Sequence, residues 1–232
     1  MNIIAGQTYR VRVQASGNLL SVFVDDMNQP KISLRDGVHK FGRCGARVYG
    51  TGATFNNIRV WPLVFDDFAQ NMVGWSIHDG IFDGASKALI ASNVVSGKAT
   101  LDTTFSNFVL DAELSIPVVG SGNAGVIFRA TNLGKGPDAY RGYYAGIGTD
   151  GTVSLGRVDN SWREIGNART DVKSGQTYRI MVQAVGDSLQ VFVGDMWQPK
   201  IKIKATSFAS GMVGARVYRS GATFNNFRIQ PV

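Results

Sequence analysis

The chain has 232 residues, 28 of them glycine and 13 phenylalanine, with one cysteine and a formal net charge of +7. A single cysteine excludes an intrachain disulfide, and no run of 18 apolar residues is present to span a membrane as a helix. The basic balance is compatible with an acidic polymer, but Lys and Arg are scattered, and the densest run, Lys200 to Lys204, alternates with isoleucine like a half-exposed strand.

The first residues, MNIIAGQTYR, contain neither a basic stretch nor a long apolar one and do not read as a signal peptide. From residue 6 the chain is written twice. Residues 6–62 and 175–231 align without a gap at an offset of 169, and 33 of the 57 positions are identical. GQTYR, VFV, QPKI, GARVY and GATFNN match outright. A repeat of this length is a duplicated domain rather than a solenoid unit. We therefore expect a complete module over 63–232 and, in 1–62, the C-terminal part of another. Where the copies differ, the fold does not demand the residue. Cys44, opposite Val213, accordingly reads as an apolar core position.

In chain order, the first copy predicts strands from Tyr9 and from Leu20 around a Ser-Gly-Asn turn, then at 31–34, 45–49 and 53–60. The part present once predicts short strands at 75–78, 81–82, 88–91 and 99–102. Longer ones follow at 108–116, 123–130, 140–147 and 152–158. The second copy repeats the closing pattern at 178–184, 189–193, 200–203, 214–218 and 222–229. Strand signals every 8–12 residues, with turn residues between them and no convincing helical period, predict an all-β antiparallel sandwich or barrel. The first copy by itself leaves an apolar face wet and strand edges open. We expect something to cover it: exchange with 171–232, a strand swap in a homo-oligomer, or further chain if this is a fragment.

Alternation separates strand faces. Phe108, Leu110, Ala112, Leu114 and Ile116 form one face of their strand and read as core, with Asp111 and Glu113 opposite. Val126, Phe128 and Ala130 read as core, with Arg129 opposite. Tyr143, Ala145 and Ile147 read as core, with Tyr140 and Tyr144 opposite among small glycines. Glu113, Arg129, Tyr140 and Tyr144 are thus expected on one open surface. There a carboxylate and a guanidinium can share the vicinal hydroxyls of a sugar while a ring covers its C–H face. The competing reading is an ordinary cross-strand ion pair beside two surface tyrosines. Trp197 replaces Asn28 in otherwise matching loops, so the loop folds without an indole; it is either a stacking platform or a cover for its own sheet. Trp162 lies in a turn-like polar run and is a further candidate. Trp75 reads as core.

NAGVIFRATN at 123–132 and DAYRGYYAGI at 138–147, together with the closing GQTYR, VFV, GARVY and ATFNN runs, resemble the concanavalin A-like lectin and glucanase jelly rolls, nearest the family 66 carbohydrate-binding modules. The resemblance covers 65–232 in full. It implies a non-catalytic module that helps an appended glycoside hydrolase grip a polysaccharide, in that family a β-fructan such as levan. By position it makes Glu113 and Arg129 the polar grips, with Tyr140, Tyr144 and Trp197 shaping the pocket and Asp138 and Trp162 added from loops. It also implies an extracellular or cell-surface setting. Jelly rolls often carry a structural calcium, for which Asp66 and Asp67 are candidates; the competing reading is solvated turn aspartates. No other cofactor is expected. Glycoside hydrolysis needs two carboxylates across the scissile bond. Glu113 and Glu164 are the only glutamates, and the Glu-x-Asp-x-x-Glu pattern of jelly-roll hydrolases is absent. The rival function is a structural or adhesive repeat at a cell surface. Polyanion binding stays as a third option, and nucleic acid is not an expected partner.

Overall fold

A computed structural model describes residues 3–16, 19–27, 29–36, 38, 44–58, 64–68, 72–84, 87–92, 95–116, 122–173 and 175–232. The chain divides into two compact units, residues 1–60 and 61–232. The described residues contain no α-helix. The expected boundary residues 61–63 lie outside those described.

The first unit holds β1 (Val11–Ser16), β2 (Leu19–Val24) and β3 (Ile32–Arg35), paired in that order in one antiparallel sheet. The second begins with β4 (Val64–Asp66), β5 (Trp75–Asp79), β6 (Phe82–Asp83), β7 (Leu89–Ala91), β8 (Ser96–Phe105) and β9 (Phe108–Ser115). It continues with β10 (Asn123–Thr131), β11 (Arg141–Gly148), β12 (Thr152–Asp159), β13 (Trp162–Arg169), β14 (Thr177–Val185) and β15 (Ser188–Val193). β16 (Ile201–Lys204), β17 (Gly211–Tyr218) and β18 (Ala222–Pro231) close it. One sheet has the order β13-β12-β11-β10-β17-β8-β5; the other has β16-β15-β14-β9-β18-β7-β6, with β4 also paired to β18. The second unit is an antiparallel β-sandwich of the jelly-roll kind.

The core follows from period-two patterning. In β9, Phe108, Leu110, Ala112 and Leu114 are buried and the residues between them are half-exposed. Phe108 meets Phe128 of the opposite sheet edge-on at 6.2 Å, and both belong to one continuous core. β14 contributes Tyr178, Ile180, Val182 and Ala184 to it, and β17 contributes Val213, Ala215 and Val217.

Two bulges break the alternation. In β18 the register slips between Asn225 and Arg228, with Asn226 left-handed at φ 51°. Phe224 and Phe227, three apart, both reach the core as a result. In β10 the register slips between Phe128 and Thr131, with Arg129 left-handed at φ 48°. Phe128 stays inside, Ala130 moves to the outer face beside Tyr140 and Tyr144, and Arg129 turns into the protein at 1% exposure. The expectation of Ala130 in the core and Arg129 on an open face fails for this reason.

The first unit corrects a second expectation. GARVY lies in β17 and ATFNN in β18, where Ala215, Val217, Ala222 and Phe224 are buried, yet at 45–49 and 52–57 the same residues carry no strand and are exposed. β17 pairs with β10 and β8, and β18 with β9, β7 and β4. Residues 1–60 hold no counterparts of those partners, so the segments have no ladder to join. Cys44 is exposed for the same reason, whereas Val213 is fully buried. β1, β2 and β3 persist because they pair with one another, as β14, β15 and β16 do.

The same substitution should therefore have opposite consequences in the two copies. Phe224→Ala should cost about 3–5 kcal/mol in urea unfolding of the full chain. Phe55→Ala, at a side chain 50% exposed, should change stability by about 0.5 kcal/mol or less.

Candidate functional site

The outer face of the seven-stranded sheet carries an assembly of charged and aromatic groups centred on Arg216. In β17, Ala215 and Val217 point into the core, so Arg216 between them points out. Its Nε donates to Pro137 O at 3.0 Å, Nη1 to Asn123 Oδ1 at 3.2 Å and Nη2 to Asp138 Oδ1 at 3.1 Å. Its guanidinium carbon lies 4.8 Å from the Tyr144 ring centroid, a cation–π arrangement. Arg216 is only 4% exposed, while the Asp138 side chain is 30% exposed. The arginine is thus buried scaffolding, and the carboxylate it holds faces outward.

The β10–β11 loop reaches this face because a second cation also anchors it. Lys98 on β8, fully buried, donates to Gly136 O and lies 3.8 Å from Asp79 Oδ2. Burial pulls the Lys98 ammonium below its ordinary value; Asp79 acts in the opposite direction. Two buried cations gripping successive carbonyls, Gly136 and Pro137, fix the loop that presents Asp138.

Tyr144 hydrogen-bonds Asn123 Oδ1 at 3.0 Å and meets Trp162 edge-on at 5.8 Å. Glycines make room for both rings: a Cβ at Gly146 would collide with Tyr144, and one at Gly156 with the Trp162 ring. Trp162 opens β13 and is 39% exposed. Asn160 and Ser161 form the turn of that polar run, whereas Trp162 onward is strand because β13 pairs along β12, with Val158 opposite Trp162. Tyr140 is fully buried beneath the loop, and its hydroxyl has no hydrogen-bond partner among the described residues. Burial raises both phenols above the ordinary 10.0, against a smaller downward pull from the Arg216 charge.

The structure thus brings together Asp138, Tyr140, Tyr144 and Trp162, but not Glu113 and Arg129. Glu113 lies on β9 of the other sheet, where it accepts a hydrogen bond from Asn226 Nδ2 at 2.9 Å. Arg129 donates to Ser106 O, Gly186 O and Phe208 O, tying three turns together. Glu113 and Arg129 therefore do not share a surface. Trp197 lies between β15 and β16 of the other sheet and is 93% exposed, which excludes the reading that it covers its own sheet. Its counterpart Asn28 lies outside the described residues. Asp66 does not fit a calcium site, since Oδ1 accepts from Phe68 N and Oδ2 from Trp75 Nε1, each at 2.7 Å. Among the described residues no three metal-ligating side chains cluster. Nor is any helix there long and apolar enough to cross a membrane.

Arg216, Lys98 and Asn123 escaped the reading of the sequence. GARVY was taken only as a repeat match, although alternation within it places Arg216 outside the core.

Removing the unpartnered hydroxyl should leave the fold intact. Tyr140→Phe should raise stability by about 1 kcal/mol at neutral pH. Phenols raised by burial stabilise the fold below pH 10 and lose that contribution as pH climbs above it, because only the unfolded chain ionises. Stability should fall above pH 10 by up to about 1.4 kcal/mol per pH unit per tyrosine. Tyr140→Phe should shallow that decline when unfolding is followed between pH 8 and 11.

Comparison with known proteins adds the following. Residues 60–230 match the profile of a family described as the 3-keto-alpha-glucoside-1,2-lyase-like domain. A levanase from Bacillus sp. (strain L7) is 26% identical over 228 residues, 97% of this chain but 24% of the levanase's length. Among solved structures, the carbohydrate-binding module CBM66 from Bacillus subtilis aligns with a TM-score of 0.60 at 20% identity, over 66% of this chain and 93% of that one. The VIP36 exoplasmic/lumenal domain, bound to Ca2+ and Man3GlcNAc, aligns with a TM-score of 0.58 at 13% identity, over 73% of this chain and 88% of that one.

Proposed function

Because the chain belongs to the 3-keto-alpha-glucoside-1,2-lyase-like domain family, we propose that its second unit is a carbohydrate-binding module that holds a terminal sugar of a polysaccharide on the outer face of the seven-stranded sheet. The observation that carries this reading is the half-exposed Asp138 carboxylate held by Arg216, whose guanidinium packs on the buried Tyr144 ring, which in turn meets the partly exposed Trp162. Asp138 accepts hydrogen bonds from sugar hydroxyls, and Trp162 covers the C–H face. Asn123 and Arg216 hold the carboxylate and ring in place, so little ordering is needed on binding. The glycan is a β-fructan such as levan, a reading supported by the similarity to a levanase. The module serves outside the cell, where such polymers lie, as a non-catalytic part of a larger glycoside-degrading protein.

The family description also admits a catalytic reading. Against it, Lys98, Tyr140 and Tyr144, whose ionisation burial displaces, are all 1% exposed or less. Groups sealed under a loop serve anchoring better than proton exchange with a substrate.

Calorimetry of the full chain against levan, inulin and an anionic glycan tests the reading. Levan should bind. Asp138→Ala and Trp162→Ala should each weaken it about tenfold or more, and Glu113→Ala should leave it unchanged. Binding to the anionic glycan alone, with steep salt dependence, would favour polyanion recognition instead. No retention of any polysaccharide would overturn the proposal in favour of a structural or adhesive repeat.

A further inference from the structure

In the second unit, β13 is the last strand of one sheet and β16 the last strand of the other, and a cleft opens along the seam between them. Its volume is about 440 Å³, within the range of small-molecule sites. A cross-strand row leads into it. Phe128, Tyr143, Arg157 and Arg163 lie opposite one another in turn across β10, β11, β12 and β13, so all four take the inner side of the sheet. Phe128 and Tyr143 belong to the core. Beyond them the row ends in two arginines, and like charges directly opposite each other oppose strand pairing.

Countercharge is short around that pair. Asp159 accepts from Arg157 Nη2 at 3.0 Å but is shared with Arg141, whose Nε donates at 2.9 Å. Arg163 has no carboxylate within ion-pair distance among the described residues. Arg157 Nε is shut off from solvent and has no hydrogen-bond partner among the described residues, a condition that native interiors rarely leave uncompensated. A third cation, Lys204 of β16, lines the cleft and lies 3.5 Å from Asp187. The remaining walls are mixed. Ile165 and Ile203 supply apolar surface, and Thr206 and Ser207 supply hydroxyls. The Tyr143 hydroxyl accepts from Phe208 N at 3.2 Å, which leaves its own proton to donate.

We propose that this seam is a second ligand site, one that takes the carboxylate of an acidic sugar, a hexuronate. The guanidinium forks of Arg157 and Arg163 match the two carboxylate oxygens, and an anion between them relieves their mutual repulsion. Lys204 adds charge at the rim, the isoleucines meet C–H surface, and the hydroxyls meet those of the ring. The site is independent of the one built on Asp138. The arginine row takes the inner side of its sheet, whereas Tyr144 and Val158, with Trp162 opposite Val158, take the outer side.

Nuclear magnetic resonance titration of the full chain with glucuronate, glucose and acetate tests it. Glucuronate should shift the amides of Arg157, Arg163 and Thr206 saturably at 1:1. Glucose should leave them in place, and acetate should bind at least tenfold more weakly. Arg163→Gln should weaken glucuronate binding about tenfold, and Lys204→Gln by a smaller factor. Both side chains are exposed, so these variants keep the fold. Arg169→Gln removes the same charge at the far end of β13 and should change nothing. Asp138→Ala should change nothing either, so the result is read separately from the outer-face site. The proposal is overturned by absence of saturable shifts, by equal binding of acetate, which would mean an adventitious anion site only, or by indifference to Arg163→Gln. Loss through Arg169→Gln or Asp138→Ala, which would mean attraction by net charge or binding elsewhere, overturns it as well.

Discussion

β9 lies between β14 and β18, and its ladders to both organise the eight-stranded sheet. On its inner face, Phe108, Leu110, Ala112 and Leu114 meet the core contributed by the other sheet. A strand in this position satisfies backbone donors and acceptors on both of its edges, which no residue within it can do for itself. The rest of the second unit depends on this arrangement. β14 aligns the hairpin that continues to β15 and β16, and β18 brings β4 and β7 into the sheet.

The site rests on the opposite sheet, and its order comes from buried charge. Arg216 and Lys98 each take a cation out of water and recover the cost through backbone carbonyls and a nearby carboxylate. Both carbonyls belong to the β10–β11 loop, so the same contacts that satisfy the cations set the position of Asp138. Arg129 solves a similar problem at the turns with three carbonyls. Buried cations in this fold are fasteners for loops, and the surface of the proposed site is what they hold in place.

Alternation was a sound guide wherever a strand is regular. It placed Tyr143, Ala145 and Ile147 inside and Tyr144 outside, and it placed Asp111 and Glu113 on the outward side of β9. It failed at the β10 bulge, where one left-handed residue reverses the side on which Ala130 and Arg129 emerge. It also could not say which sheet a strand joins. Glu113 and Arg129 each have a definable face along their own strand, but they sit in different sheets. Asp138 and Trp162, read as loop additions, are the residues that the structure gathers around Tyr144 and Arg216.

The duplicated segment separates what the residues carry locally from what the fold supplies. Asn57 and Asn226 are both left-handed, at φ 55° and 51°, and Gly6 and Gly175 both have positive φ. The β1–β2–β3 and β14–β15–β16 sheets form in both copies. Turn geometry depends on the residue and its nearest neighbours, and a hairpin brings its own partner. The strand state of GARVY and ATFNN, the burial of Val213 against the exposure of Cys44, and the meeting of Asp138 with Arg216 were decided only by tertiary structure. Each requires a backbone edge or a charge from a distant part of the chain, which the local sequence does not carry.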